Sequence, residues 1–502
     1  CLMGYNIKNL DSRWLSLKLL DDDQTLIKET NNYLGFDLLK KKDIKKVVNE
    51  SKEHLNKNNI DTDKLKDMVV SVIVKKSENI CDGVITYEKK NYSSVDRNFD
   101  KILTSKYIGY PIMLLMLMVI FWLTITGANY PSAILSDFLF WIQDLLTDIF
   151  MYFNAPDWLH GALVLGVYRV LAWVVSVMLP PMAIFFPLFT LLEDSGYLPR
   201  VAYNLDKPFK CCSACGKQSL TMCMGFGCNA AGVVGCRIID SPRERLLAIL
   251  TNNFVPCNGR FPTIITILTM FFVGSSVGIK SSLLSSILLT LVILLGILTT
   301  FAVTKILSRT ILKGVPSSYT LELPPYRKPQ VGKVIIRSIF DRTLFVLGRA
   351  AAVAAPAGLV IWLMANITVG EANLLTHVSE FLDPFAKIMG LDGVILMAFI
   401  LGFPANEIVI PIIIMTYLAK GTIVGIESVS EMKDVFLQNG WTWLTAVNTI
   451  IFSLMHWPCS TTLITIKKET GSFKWAALSA VIPTVLGITF CIIITAIAKI
   501  FI

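Results

Sequence analysis

The chain has 502 residues, 54% of them hydrophobic, with a mean hydropathy of +0.60 and a formal net charge of +9. Its apolar residues gather in runs near the ~20 residues that cross a bilayer, which excludes an ordinary soluble protein and points to an integral membrane protein. The basic residues sit in the N-terminal segment and in a few loops between the runs, the pattern of cytoplasmic loops rather than of nucleic-acid binding.

No signal peptide opens the chain, and Cys1 stands where an initiator Met is expected, so the sequence reads as a fragment or a processed product. Residues 1–105 are rich in Lys interleaved with Asp and Glu. Apolar residues recur there at helical spacing in Trp14, Leu15, Leu17, Leu19 and Leu20, and again over 65–74. This predicts a small cytoplasmic helical domain. No phosphate-cradling loop is found: Cys215-Gly216-Lys217-Gln218, farther along, is the nearest approach and lacks the upstream Gly and the Ser/Thr after Lys. Residues 106–160 predict a first span over 108–126, then an interfacial helix whose apolar face runs from Leu135 to Ile149; a short buried helix is the competing reading. Between Lys106 and Arg169 there is no Lys or Arg, only acids such as Asp137, Asp144, Asp148 and Asp157, which puts this segment outside and the N-terminus inside.

Residues 161–306 form a first gate half. A span over 160–182 ends at Pro180-Pro181, and an apolar piece follows over 187–197. The Gly- and Cys-rich stretch 211–236 has basic residues on both flanks, so a re-entrant hairpin suits it better than one crossing. Spans over 246–273, broken at Pro256, and over 282–306 complete this half. The 307–342 loop is basic and cytoplasmic. Residues 343–502 form the second gate half, with spans over 343–368, 393–418, 441–466 and 474–501 and an acidic external loop over 370–392. The total is about eight crossings plus re-entrant pieces.

Two stretches read as copies of one another. Met224-Gly225-Phe226-Gly227-Cys228-Asn229 and Leu401-Gly402-Phe403-Pro404-Ala405-Asn406-Glu407 both interrupt an apolar run with Gly or Pro and then place an Asn. A second echo follows each, in Phe254-Val255-Pro256-Cys257 and His456-Trp457-Pro458-Cys459. Paired broken segments in corresponding halves of a membrane protein point to a transport site. Cys228 and Asn229 offer a thiolate and an amide carbonyl on an unwound segment, with the thioethers of Met222 and Met224 nearby. Such donors suit a soft or borderline metal ion, and the competing reading is close helix packing through small residues. Cys257 and Cys459 each follow a helix-breaking Pro, either on an ion path or as buried thiols at a kink. Glu407 lies within an apolar run, as an ion ligand or proton acceptor. Glu193 and Asp194 end another, where pairing with Arg200 at the interface is the alternative. Of the eleven Cys, six fall between 211 and 236, inside or beside membrane segments, so reduced thiols are expected rather than disulfides. Cys211, Cys212 and Cys215 make only half of a zinc knot. Among the histidines, His456 alone merits testing as a ligand.

These residues together resemble the membrane part of FeoB-type ferrous iron transporters, almost continuously from Asp11 to the C-terminus. Ser12-Arg13-Trp14-Leu15, Gly109-Tyr110-Pro111, Leu192-Glu193-Asp194-Ser195-Gly196-Tyr197 and Gly225-Phe226-Gly227-Cys228-Asn229 carry the likeness. So do Ser241-Pro242-Arg243-Glu244-Arg245, Glu322-Leu323-Pro324-Pro325-Tyr326-Arg327 and Lys468-Glu469-Thr470-Gly471-Ser472. The resemblance implies an all-α polytopic membrane protein with an inverted repeat of gate regions, importing Fe2+ across a bacterial cytoplasmic membrane with its N-terminus inside. It also implies that Cys228, Cys257 and Cys459 line the iron path. The family's G domain, with its P-loop and NKxD motif, has no counterpart in this sequence. GTP and Mg2+ would act only on that domain, truncated here or supplied on another chain. Small cytoplasmic accessory proteins of iron transport and a homo-oligomer are the partners the resemblance adds; nucleic acid is not one. The alternatives are a nucleoside-type permease, or a membrane thiol redox sensor using Cys211, Cys212 and Cys215.

Overall fold

A computed structural model of the chain describes residues 7–501 apart from 8, 9, 22, 23, 59, 61, 85–91, 106, 275–278, 315–325, 371 and 419–428. Expectations placed on Cys1, Lys106, Glu322-Leu323-Pro324-Pro325 and Glu371 lie outside the described residues. The chain forms two compact units, residues 1–94 and 95–502.

Among the described residues the first unit contains the α-helices Ser12–Asp21, Gln24–Leu34, Lys42–Lys57 and Thr62–Val84 and the short 3-10 helix Leu38–Lys40. Leu15, Leu19, Ile27, Leu34, Leu38, Ile44 and Val48 bury one another in its core. Asp37 turns the chain between the second and third helices: its carboxylate accepts from the Leu39 N–H and from Asn31 Nδ2, both at 3.1 Å. The 65–74 stretch is helical as its spacing predicts. Within this unit, however, Val72 and Ile73 are 66% and 59% exposed, so its apolar residues do not all turn inward.

In the second unit Gly109–Tyr152 is one helix of 44 residues, with Pro131 inside it. The expected division into a span and a separate interfacial helix does not occur. At 1.5 Å per residue the helix is ~66 Å long, about twice a ~30 Å hydrocarbon core. Asp157–Asp194 is likewise one run of 38 residues. It has a π-helical stretch over Gly161–Tyr168, and Pro180, Pro181 and Pro187 lie within its later part. The expected stop at Pro180-Pro181 is absent, because packed neighbours in an apolar setting hold a helix together across the bonds a Pro removes.

Among the described residues five helices are long and apolar enough to cross a membrane, or six if Leu374–Ile388 and Gly393–Leu401, bent by 109°, count as one. The count is three below the expected total because two predicted spans are divided and, of 343–368, only Ala350–Asn366 counts, as a shorter apolar helix. The 246–273 stretch becomes Pro242–Thr251 and Phe261–Leu268 around an irregular loop, and 393–418 becomes Gly393–Leu401 and Val409–Tyr417. The acidic 370–392 loop opens on a two-residue strand pair, Thr368–Val369 with Ala372–Asn373, whose first strand precedes it, and contains the helix Leu374–Ile388.

Where the second unit begins, Asp100 accepts hydrogen bonds from Arg200 Nε at 2.9 Å and from Tyr326 Oη at 2.7 Å. The guanidinium, 2% exposed, also stacks 4.0 Å from the centre of the Tyr326 ring. Burial by itself pushes the Asp100 carboxyl up, but the bonds from Arg200 and Tyr326 and the Arg200 charge outweigh it and hold the carboxyl below its ordinary range. A depressed folded value gives stability that is present above the unfolded value and is lost as pH falls through the folded one. Asp100→Asn should therefore cost about 1.5–3 kcal/mol at pH 7 and at pH 5. The difference between variant and parent melting in detergent should vanish only below about pH 3.9.

Candidate metal path

Four breaks in the helices build the site. The first lies between Lys217–Gly227 and Asn229–Gly235. Cys228 is extended there (φ −156°, ψ 126°), donates its N–H to the Met224 carbonyl at 3.3 Å and accepts from the Gly232 N–H at 3.0 Å. The two short helices fold back on each other so closely that a Cβ on Gly232 would stand 3.0 Å from the Gly225 Cα and 2.7 Å from Asn252 Nδ2. Only glycine allows that approach, which accounts for the Gly-rich sequence and agrees with the expected hairpin.

The third break repeats the first. Ala405 is extended (φ −150°, ψ 113°), and Asn406 opens the next helical turn, as Asn229 does after Cys228. The repeat read from sequence is thus a repeat of backbone geometry. The second break (residues 255–260) and the fourth (456–459) each interrupt a helix at the expected Pro.

Hydrogen bonds tie the breaks together. Asn229 Nδ2 donates to Asn253 Oδ1 at 3.3 Å, and in the opposite amide orientation it would donate to the Gly225 and Val255 carbonyls at 3.3 and 3.2 Å. Asn252 Nδ2 donates to the Asn229 carbonyl at 3.1 Å. In the second half, Asn406 Oδ1 lies 3.3 Å from His456 Nε2, and the Ser460 N–H donates to the Phe403 carbonyl at 3.1 Å. The His456 ring is buried, with Nδ1 2.9 Å from the Ser453 carbonyl and 3.1 Å from that of Phe452. Those acceptors place a proton on Nδ1, so the Nε2 contact closes as a hydrogen bond with the Asn406 amide turned to let its Nδ2 donate.

The breaks also meet across the halves. The thiols of Cys257 and Cys459 lie within electrostatic range of Cys228 and of each other, and Glu407 within range of Cys257. Glu407, 5% exposed, packs its carboxylate against Gly259, where a Cβ would collide with it. Cys228, Asn229, Cys257, Asn406, Glu407 and Cys459 are therefore gathered at the meeting of the four breaks. Met224 bonds the Cys228 N–H through its carbonyl and turns its sulfur to Gly235 inside the first hairpin. Glu193 and Asp194 are exposed at the end of the Asp157–Asp194 run. Cys215 and Cys236 share a buried apolar cluster, Cys212 is buried and Cys211 exposed, and the ten described cysteines are free thiols.

No group of three or more His, Cys, Asp or Glu among the described residues is arranged to hold a metal ion as a ready cage. Sequence reasoning passed over Asn252, Asn253 and Arg260, all at most 2% exposed. The available signal was Arg260 itself, the one charged residue between Arg245 and Lys280. An ionisable residue inside an apolar segment marks a functional position by default.

Comparison with known proteins extends over most of the chain. A family described as the FeoB cytosolic helical domain matches residues 2–86. Gate, described as nucleoside recognition, matches 175–271 and 347–473, the two stretches that hold the four breaks. The ferrous iron transport protein B C terminus matches 289–341. The Fe(2+) transporter FeoB of Staphylococcus aureus (strain MSSA476) is 31% identical over 445 residues, 85% of this chain and 62% of the relative. The Fe(2+) transporter FeoB of Methanocaldococcus jannaschii is 24% identical over 98% of this chain and 71% of its own length. A fusion of Fe(2+) transport protein A with Fe(2+) transporter FeoB from Porphyromonas gingivalis is 23% identical over 94% of this chain and 59% of the relative. The chain thus spans about three-fifths of the S. aureus relative, and no solved structure matches it. With its cytosolic helical, gate and C-terminal segments matched in that order by these families and relatives, this multi-pass membrane chain belongs to the FeoB family.

Proposed function

We propose that the chain is the permease part of a ferrous-iron importer. Fe2+ passes between the two broken-helix gates, taking the thiols of Cys228, Cys257 and Cys459 as ligands, with Asn229, Asn406 and Glu407 lending oxygen. The observation that carries this reading is the convergence of three cysteines from three different breaks. Mixed sulfur and oxygen donors suit a borderline ion such as Fe2+. A cluster without a ready cage also suits passage, because conduction needs binding weak enough to release the ion. The names of the relatives support the cargo. A nucleoside-type permease is not favoured, since the matches on either side of the first gate stretch are to ferrous iron transport families and a sugar-base solute gives the clustered thiols no task.

In this reading the protein lies in a bacterial cytoplasmic membrane with its N-terminal unit inside, as the Lys and Arg distribution directs. GTP and Mg2+ act on a G domain joined in cis or supplied in trans. The fused P. gingivalis relative supports a small accessory iron-transport protein as a partner, and self-association of the chain is a further expectation. The test is 55Fe2+ uptake in cells deficient in iron uptake, expressing this chain with and without a G domain. Uptake in either arrangement supports the proposal. Its absence in both, with the protein present in the membrane, overturns it.

A further inference from the structure

We infer that Arg260 is the positioning residue that holds the two halves of the metal path in register; this rests on the iron-permease reading above. The side chain is fully buried, and its guanidinium makes five hydrogen bonds, none of them to a carboxylate. Two reach Asn253, beside the second break: Nη1 to the carbonyl at 2.8 Å and Nη2 to Oδ1 at 3.1 Å. The other three cross to the fourth break, where Nη1 donates to the Leu454 carbonyl at 2.9 Å and Nη2 to those of His456 and Trp457 at 3.0 and 3.1 Å.

The chemistry at the fourth break explains why a cation belongs there. The helix Trp443–Met455 ends at that point, so its last carbonyls lack intrahelical donors and form the negative end of the helix dipole. An arginine satisfies several of them at once, because its planar fork presents donors in fixed directions; a lysine ammonium is a single point of charge. The same residue is anchored in the second break, where the Arg260 N–H donates to the Cys257 carbonyl at 2.9 Å. Cys257 stands three residues before Arg260, and Cys459 two residues after Trp457. One side chain thus fixes where the thiol of the first half stands relative to the thiol of the second. Asn253 adds a parallel tether from Nδ2 to the His456 carbonyl at 2.8 Å.

The test compares the parent chain, with its G domain supplied, with Arg260→Met, Arg260→Lys and the milder Asn253→Ala. Two quantities are read: iron uptake against iron concentration, per molecule of protein in the membrane, and the yield of a short thiol cross-link between Cys257 and Cys459, mapped by mass spectrometry. Arg260→Met should raise the apparent KM for iron at least about tenfold, the lower end of what an outer-shell partner contributes at a metal site, and should reduce the cross-link several-fold. Arg260→Lys, which keeps the charge and loses the fork, should resemble Met rather than the parent. Asn253→Ala should shift both readings in the same direction by less, which keeps the test decisive if Arg260→Met does not fold. A fall in maximal uptake at unchanged KM and unchanged cross-linking would reduce Arg260 to a stability role and overturn the inference, as would full recovery by Lys. The cross-link needs no transport. Its loss in the variants of a parent that carries no iron would uphold the register and defeat the iron reading alone.

Discussion

Cys228→Ser is expected to lower ferrous-iron uptake by at least about tenfold, and Cys257→Ser and Cys459→Ser to do the same, since even an outer-shell partner of a metal site is worth that much. Serine nearly preserves the shape of cysteine, so the change isolates the donor atom. A thiol can become a soft thiolate ligand, whereas a hydroxyl keeps its proton and remains a poor partner for a borderline ion. The three residues belong to different breaks yet lie within electrostatic range of one another, so each loss should be felt at one path. Cys491→Ser is the control. That thiol is buried in the helix Phe473–Phe501 and donates to the Asn448 carbonyl at 3.5 Å, a bond a hydroxyl can keep. Uptake assays on the four variants, with the amount of membrane protein measured in parallel, decide the matter. Full activity in Cys228→Ser together with Cys257→Ser would remove the thiols from the path.

The second large effect is expected at Gly232. A methyl group there would stand 2.7 and 2.8 Å from the two amide atoms of Asn252 and 3.0 Å from the Gly225 Cα. A backbone atom cannot step aside as a flexible side chain can, so Gly232→Ala must spread the first hairpin. Overpacking of this kind costs about 1–3 kcal/mol. It also displaces Asn252, whose Nδ2 bonds the Asn229 carbonyl beside Cys228. Melting in detergent should show the loss of stability, and iron uptake per folded molecule should fall as well. Gly332→Ala provides the comparison, because nothing lies within 4 Å of a Cβ at that position. Equal melting of the two variants would show that the hairpin tolerates the methyl group.

Much of the candidate site was legible because its signals are local. Gly225, Gly227, Pro404, Pro256 and Pro458 disrupt helices wherever they stand in an apolar run, and a thiol or amide beside each disruption is visible in a short window. The matching backbone at Cys228-Asn229 and Ala405-Asn406 shows that the repeat was real at the level of individual residues. Proline misled the same reasoning at Pro180-Pro181, where the helix continues. Whether a helix survives a lost hydrogen bond depends on what packs around it, and a short window does not contain that information. Glu193 and Asp194 follow an apolar run, which left them between an intramembrane and an interfacial reading; both are exposed where that run ends at a helix terminus.

The sequence by itself determined that this is a helical membrane protein with a helical N-terminal segment, a repeated pair of broken helices and thiols at three of the breaks. Hydropathy, periodicity and helix-breaking residues act over a few turns of chain, so each could be read without a partner. Only the tertiary structure decided which breaks meet, that Glu407 reaches Gly259, and that Arg260 joins the second break to the fourth. Those contacts link residues far apart in sequence, such as Asn253 and His456 with a separation of 203. They arise because buried donors and carbonyls with no water to satisfy them must find one another across the packed helices.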